Sequence, residues 1–216
     1  MMRLRLLFVI LLFQLVTAAA NVPLMAQPAS PKPPREMTVV ELVRAVENSI
    51  VRVDIVGVAT VFDQTAKTLV EKQFDATMGT GFVIRTQPKG VDDLDVYIVT
   101  NSHVVQDART SNGKLALFVR TAIGKRQKAE LVGVDELSDL AVLRIRVSSA
   151  AKSSLPALEW NSKRVQVGEE VVAVGFGQVL RGPPSVTKGI VSATDRFLTD
   201  VGRLNGRFAG LIQTDA

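Results

Sequence analysis

Cysteine is absent from the 216 residues, and histidine, tryptophan and tyrosine each occur once. Without cysteine there are no disulfides and no lipid-bearing amino terminus, so the chain folds on its apolar core alone. One histidine and no cysteine leave only carboxylates as metal ligands. These show no calcium-loop spacing, so no metal site and no cofactor is expected. Aromatic stacking residues are too few for a nucleic-acid surface. The net charge of +5 is spread out: Arg3 and Arg5 lie in the leader, and Lys125-Arg126-Gln127-Lys128 is the one small basic cluster. The charge therefore reads as a solvated surface, with no nucleic-acid partner.

What the chain does have begins with a leader. Met1-Met2-Arg3-Leu4-Arg5 is basic, Leu6 to Val16 is apolar and uncharged, and Ala18-Ala19-Ala20 supplies small residues for cleavage, with Leu24-Met25-Ala26 as a second site. This is the pattern of a signal peptide over residues 1–20. It predicts an exported protein, periplasmic or secreted. The apolar core is short of the roughly 20 residues of a membrane span, so membrane attachment would come only through an uncleaved leader. Residues 21–36 form a linker rich in proline: Pro23, Pro28, Pro31, Pro33 and Pro34, extended by composition.

Thr38-Val39-Val40-Glu41 has capping-box spacing, and Val39, Leu42, Val43 and Val46 recur at helical period, which predicts one short amphipathic helix ending near Asn48. From Ile50 the period becomes two, with Val51, Val53, Ile55 and Gly57 on one face. Phe62 to Met78 is polar and mixed and reads as a loop or irregular hairpin. Strands are expected at Gly79 to Ile84, Asp95 to Thr100, Lys114 to Arg120, Lys128 to Val134 and Asp139 to Val147. Ser148 to Pro156 has the composition of a connection, and Glu169 to Phe176, Val186 to Thr194 and Gly210 to Thr214 are strands of a second half. Short strands with turn signals between them, and few helices, indicate an all-β barrel or sandwich.

The lone imidazole, His103, follows Tyr97-Ile98-Val99-Thr100-Asn101-Ser102, where a strand gives way to a turn. No other side chain exchanges a proton near neutral pH at its ordinary pKa. Asp139 heads the apolar face Ala141, Leu143, Ile145 and Val147, a costly place for an unpaired carboxylate. An imidazole N–H would pair with it. Capping a turn with Ser138 is the competing role, and Asp135 is the local rival, better suited to the turn.

Together, Gly79-Thr80-Gly81-Phe82-Val83-Ile84, the run from Tyr97 to Val105, Ser138-Asp139-Leu140-Ala141-Val142-Leu143, Gly168 to Gly175, Val186 to Ala193 and Ile212-Gln213-Thr214-Asp215-Ala216 resemble, in order, the HtrA/Deg group of chymotrypsin-like serine proteases. The likeness runs from about residue 45 to the last residue. It implies an all-β, chymotrypsin-like double β-barrel with the site in the cleft between the barrels. The helix and first barrel would occupy 37–147. The connection and a second barrel, without its last strands, would occupy 148–216. The resemblance makes His103 the general base and Asp139 the residue that orients it. It implies unfolded or extended polypeptides as substrates, and an N-terminal segment through which relatives form homo-oligomers.

The sequence departs from the family where it matters chemically. The family's nucleophile lies in a Gly-Asn-Ser-Gly-Gly-Pro segment shortly beyond Gln-Thr-Asp-Ala, and the 216 residues hold no such segment. The triad is then present as His and Asp only, and a product of this length is expected to be inactive. Ser102, Ser185 and Ser192 lack the flanking glycines of an anion-binding nest and are poor substitutes. Gly175-Phe176-Gly177-Gln178-Val179-Leu180-Arg181-Gly182 replaces the family's usual Gly-Asn-Pro-Phe-Gly-like stretch. The alternative reading is a non-catalytic peptide-binding module using the same cleft, since added-strand pairing needs only backbone edges. The leader makes a direct prediction: amino-terminal sequencing of the exported product starts at Asn21 or Gln27. A product starting at Met1 in the membrane fraction would show an anchor instead.

Overall fold

The two-residue period that starts at Ile50 becomes the first strand of a closed six-stranded barrel in the computed structural model. The structure describes residues 37–121, 124, 126–160, 163–176, 182–201 and 204–216, so the leader and the proline-rich linker lie outside the described residues. The barrel strands are β1 (Ile50–Asp63), β2 (Thr68–Lys89), β3 (Asp93–Asn101), β4 (Leu115–Arg120), β5 (Arg126–Asp135) and β6 (Leu140–Ser148), in the order β1-β2-β3-β6-β5-β4, with β4 returning to β1. All the pairings are antiparallel. Alternate residues point inward, and Val51, Val53, Val83, Val96, Ile98, Val119, Leu143 and Ile145 fill the interior.

The capping-box helix is present as α1 (Val39–Val46), followed by a 3-10 turn at Glu47–Ser49. Val39, Leu42, Val43 and Val46 are half-buried while Val40 is exposed, as the helical period requires.

The structure sharpens two readings of local structure. Phe62 to Met78 takes the second of its two alternatives, an irregular hairpin rather than a loop: β1 and β2 pair out to Phe62↔Leu69 and Asp63↔Thr68, with one register shift at Ile55/Val56 opposite Thr77 and Asp75. Asp63 Oδ1 closes the four-residue turn by accepting the Thr65 and Ala66 amides at 2.9 and 3.0 Å. The hairpin tip stands in solvent on both faces, with Val58, Phe62 and Leu69 exposed. Where neither face is buried, nothing imposes an apolar alternation to be read. The segment after Asn101 is also not a bare turn but α2 (Ser102–Thr110). Its Val104 and Val105 are buried in the barrel core. Gly79 makes the room: a Cβ there would lie 2.6 Å from Val104 Cγ2, closer than packing allows.

The second half is a three-stranded sheet, β7 (Glu170–Gly175), β8 (Ser185–Val201) and β9 (Leu204–Thr214). β8 and β9 are longer than the apolar runs indicated, because their pairing slips at four places and the period breaks with it. Ile190 and Ile212 are exposed on this sheet. The described residues thus make the expected all-β, chymotrypsin-like fold, with one closed six-stranded barrel followed by a three-stranded sheet.

The connecting segment is more than a tether. Ser149–Ser154 forms a 3-10 turn, and Leu155 inserts into the first-barrel core with no exposed surface. Ser149 N donates to Asp92 O at 2.7 Å, Ser49 Oγ to Pro156 O at 2.8 Å and Leu158 N to Val83 O at 2.9 Å. The segment thus straps the barrel it leaves. Leu155→Ala is expected to lower stability by about 2–4 kcal/mol, as for a buried leucine, measured by urea unfolding. A linker residue would change it by less than about 0.5 kcal/mol.

Candidate active site

The β3 strand is buried on both faces, with Val96, Ile98 and Thr100 among its covered residues, and it delivers the chain rigidly to Asn101. α2 starts at the next residue, and a helix start leaves its first amides without intrahelical acceptors. No side chain at the Asn101 cap position accepts them. They are satisfied from the head of the neighbouring strand β6. Ser102 N donates to Asp139 O at 3.0 Å, and His103 N donates to Asp139 Oδ1 at 2.9 Å. Asp139 therefore caps α2 from the loop between β5 and β6. A carboxylate is favoured at that position by the positive end of the helix as well.

The other carboxylate oxygen orients the imidazole. His103 Nδ1 lies 2.8 Å from Asp139 Oδ2, and Asn101 Nδ2 donates to the same oxygen at 3.0 Å. Asp139 is almost fully buried, while the His103 side chain keeps 34% of its surface exposed. A carboxylate only accepts, so the proton sits on Nδ1 and the Nε2 lone pair is left free. Among the described residues nothing bonds Nε2. A neutral imidazole held this way can take a proton from a hydroxyl, and the buried carboxylate stabilises the imidazolium that results.

Asp135, the rival carboxylate, takes the turn instead. Leu137 N donates to its Oδ1 at 3.0 Å and Ser138 Oγ to its Oδ2 at 2.7 Å. The Ser138 hydroxyl, then the Leu137 amide, hold its carboxyl below the usual aspartate range. Asp139 itself adopts a left-handed backbone, φ +55°, which aspartate tolerates better than most residues. Its strand position is thus just ahead of β6 rather than within it, while Ala141, Leu143, Ile145 and Val147 are buried as their alternation indicated.

Of the three serines weighed as substitutes, Ser102 is buried and opens α2. It adjoins His103 on a helix rather than on an extended segment, and neighbours i and i+1 on a helix do not face each other. Ser185 and Ser192 are exposed on β8.

Three supporting residues were not assigned roles from the sequence. Asn101 buttresses Asp139 through its amide. Thr100 Oγ1 donates to Thr80 O at 2.7 Å, and Thr80 Oγ1 accepts from Phe176 N at 2.7 Å. The β2 strand that flanks the site is thereby pinned to the end of β7. A Cβ on Gly175 would stand 2.9 Å from Thr80 Oγ1, so glycine lets the two segments meet. The Thr-Gly and Thr-Asn-Ser-His runs were the signal, but their partners lie far off in sequence.

A protein-family model described as a trypsin-like peptidase domain matches residues 79–216. The chain is 34% identical over 167 residues to the serine endoprotease DegS of Salmonella typhimurium, covering 74% of this chain and 39% of that protein. It is 35% identical over 146 residues to a probable periplasmic serine endoprotease, DegP-like, of Chlamydia trachomatis, covering 67% of this chain and 24% of the relative. The chain thus spans between a quarter and two fifths of the length of these relatives. Among solved structures, the HtrA-type protease AlgW with decapeptide superposes with a TM-score of 0.60 at 22% identity, over 83% of this chain and 51% of that one. Deg5 superposes with a TM-score of 0.56 at 25% identity, over 82% and 71%.

The double duty of Asp139 gives a testable consequence. Asp139→Ala is expected to cost about 2–4 kcal/mol, because it strands the amide of His103 and the amide of Asn101 together. Urea unfolding measures it, and the downfield Nδ1–H resonance of His103 disappears in the same variant.

Proposed function

The chain belongs to the trypsin-like peptidase family and is HtrA/Deg-like within it, and from that premise we propose that it carries the base half of an exported serine endopeptidase. His103 is the general base and Asp139 the orienting carboxylate. The observation that carries the reading is the 2.8 Å contact between His103 Nδ1 and Asp139 Oδ2, with no partner for Nε2 among the described residues. In the reaction Nε2 takes the proton of a serine hydroxyl as that oxygen attacks a peptide carbonyl, and later returns it to the leaving amine. Asp139 stays ionised throughout and holds the ring in the tautomer that makes Nε2 basic. The substrates are unfolded or extended polypeptides, which suit a cleft between two β-lobes.

The nucleophile and its oxyanion-stabilising amides belong to a Gly-Asn-Ser-Gly-Gly-Pro segment of the kind found in the family shortly after Gln-Thr-Asp-Ala. The 216-residue polypeptide, which holds no such segment, is inactive by itself. A signal peptide over 1–20 and a linker over 21–36 direct the protein to the periplasm or beyond, ahead of a helix and barrel over 37–147 and the connection and partial barrel over 148–216. The names of periplasmic relatives support that location.

A serine-reactive fluorophosphonate tests the proposal. The 216-residue polypeptide stays unlabelled. The same polypeptide fused to the Gly-Asn-Ser-Gly-Gly-Pro segment and following strands of a DegS relative labels stoichiometrically, and His103→Ala slows that labelling about a thousand-fold or more. Labelling of the short polypeptide, or labelling that ignores His103, would overturn it.

A further inference from the structure

Three arginines stand opposite one another on three adjacent strands. Arg52 on β1 pairs in register with Arg120 on β4, and Arg120 pairs with Arg126 on β5. Like charges directly across a ladder repel, so such a row calls for compensation. It is only partly provided. Arg52 Nε lies 2.7 Å from Asp54 Oδ1, and Arg126 Nη2 lies 3.3 Å from Asp54 Oδ2 and 2.9 Å from Asp75 Oδ1. Asp54 is fully buried and Arg52 is 8% exposed, so this is an ion network largely withdrawn from water. Three guanidinium groups meet two carboxylates, which leaves one positive charge.

That charge belongs to Arg120. Among the described residues no carboxylate pairs with it, and its Nε is buried without an acceptor, as are the Nε of Arg126 and the hydroxyl of the buried Thr121; Arg52 Nε and Asp54 Oδ1 meet at 2.7 Å as an ion pair without hydrogen-bond geometry. Leaving a buried guanidinium nitrogen unbonded is costly. The three arginines line one cleft of about 790 Å³, together with Gln73, Phe74, Asp75 and Gly182. Thr121 lines an adjoining cleft of about 490 Å³ that also reaches Arg120.

We propose that the cleft over this arginine row is a binding site for an oxyanion, a carboxylate or a phosphate group gripped by Arg120 between Arg52 and Arg126. The planar guanidinium fork matches two oxygens of either group. A single carboxylate balances the excess charge of the row, and a phosphate group more than balances it. The site shares no residue with the His103–Asp139 pair and stands whether or not the protease reading does.

Calorimetric titration of the full chain with inorganic phosphate, and separately with succinate, tests it at constant ionic strength against chloride. Saturable binding near one equivalent is expected for one or both anions. Binding confined to phosphate identifies a phosphoryl ligand, and binding of succinate identifies a carboxylate-bearing one; either supports the site. Arg120→Gln weakens it about ten-fold or more. Arg120→Lys, which keeps the charge but loses the fork, weakens it less. In chloride alone Arg120→Gln melts at a higher temperature than the parent, because the uncompensated charge is gone, and saturating anion closes that gap. Absence of binding by both anions, or equal binding by Arg120→Gln, would overturn the proposal.

Discussion

The geometry of this protein's site hangs on one carboxylate. Asp139 accepts the first amides of α2 and the Nδ1–H of His103 at once, through its two side-chain oxygens and its own carbonyl. A helix start needs acceptors, and an imidazole needs a partner to choose its tautomer. One buried residue meets both needs, so the helix and the ring cannot be set independently. Whatever holds Asp139 in place therefore also holds the basic nitrogen in place.

What holds it is barrel closure. Asp139 precedes β6, which lies beside β3 in register from Asn101↔Leu140 onward. The residue pair that forms the site sits at the matching ends of two neighbouring strands. Both strands are anchored by inward residues of negligible exposure, Val96 and Ile98 on β3 and Leu143 and Ile145 on β6. Such packing is stiff, and it fixes the 2.8 Å contact. α2 seats on the same barrel through Val104, in a gap that only glycine at position 79 leaves open.

The second half of the described chain is built differently. Its three strands form an open sheet with irregular pairing, and its attachment to the barrel runs through a few specific contacts. Thr80 bridges to Phe176, and the strap from Ser149 to Leu158 lies on the first barrel. Those contacts start next to the site, because Thr80 also receives the hydroxyl of Thr100, one residue before Asn101. The junction of the two halves and the seat of the imidazole are thus one bonded patch.

Much of this could be read from the residues alone. Period-two alternation from Ile50, the capping box at Thr38, the apolar face after Asp139 and the solitary histidine are local patterns, and local patterns survive in one dimension. They gave the all-β class, most strands and both candidate residues. Phe62 to Met78 stayed open between loop and irregular hairpin because its tip buries neither face, and α2 escaped because its start is capped by a residue 36 positions away. The capping of α2 by Asp139, the buttress from Asn101, the insertion of Leu155 and the facing row of Arg52, Arg120 and Arg126 were decided only in three dimensions. Each depends on which strands become neighbours and in what register, and register is set by closing the barrel around its core rather than by any short stretch of sequence.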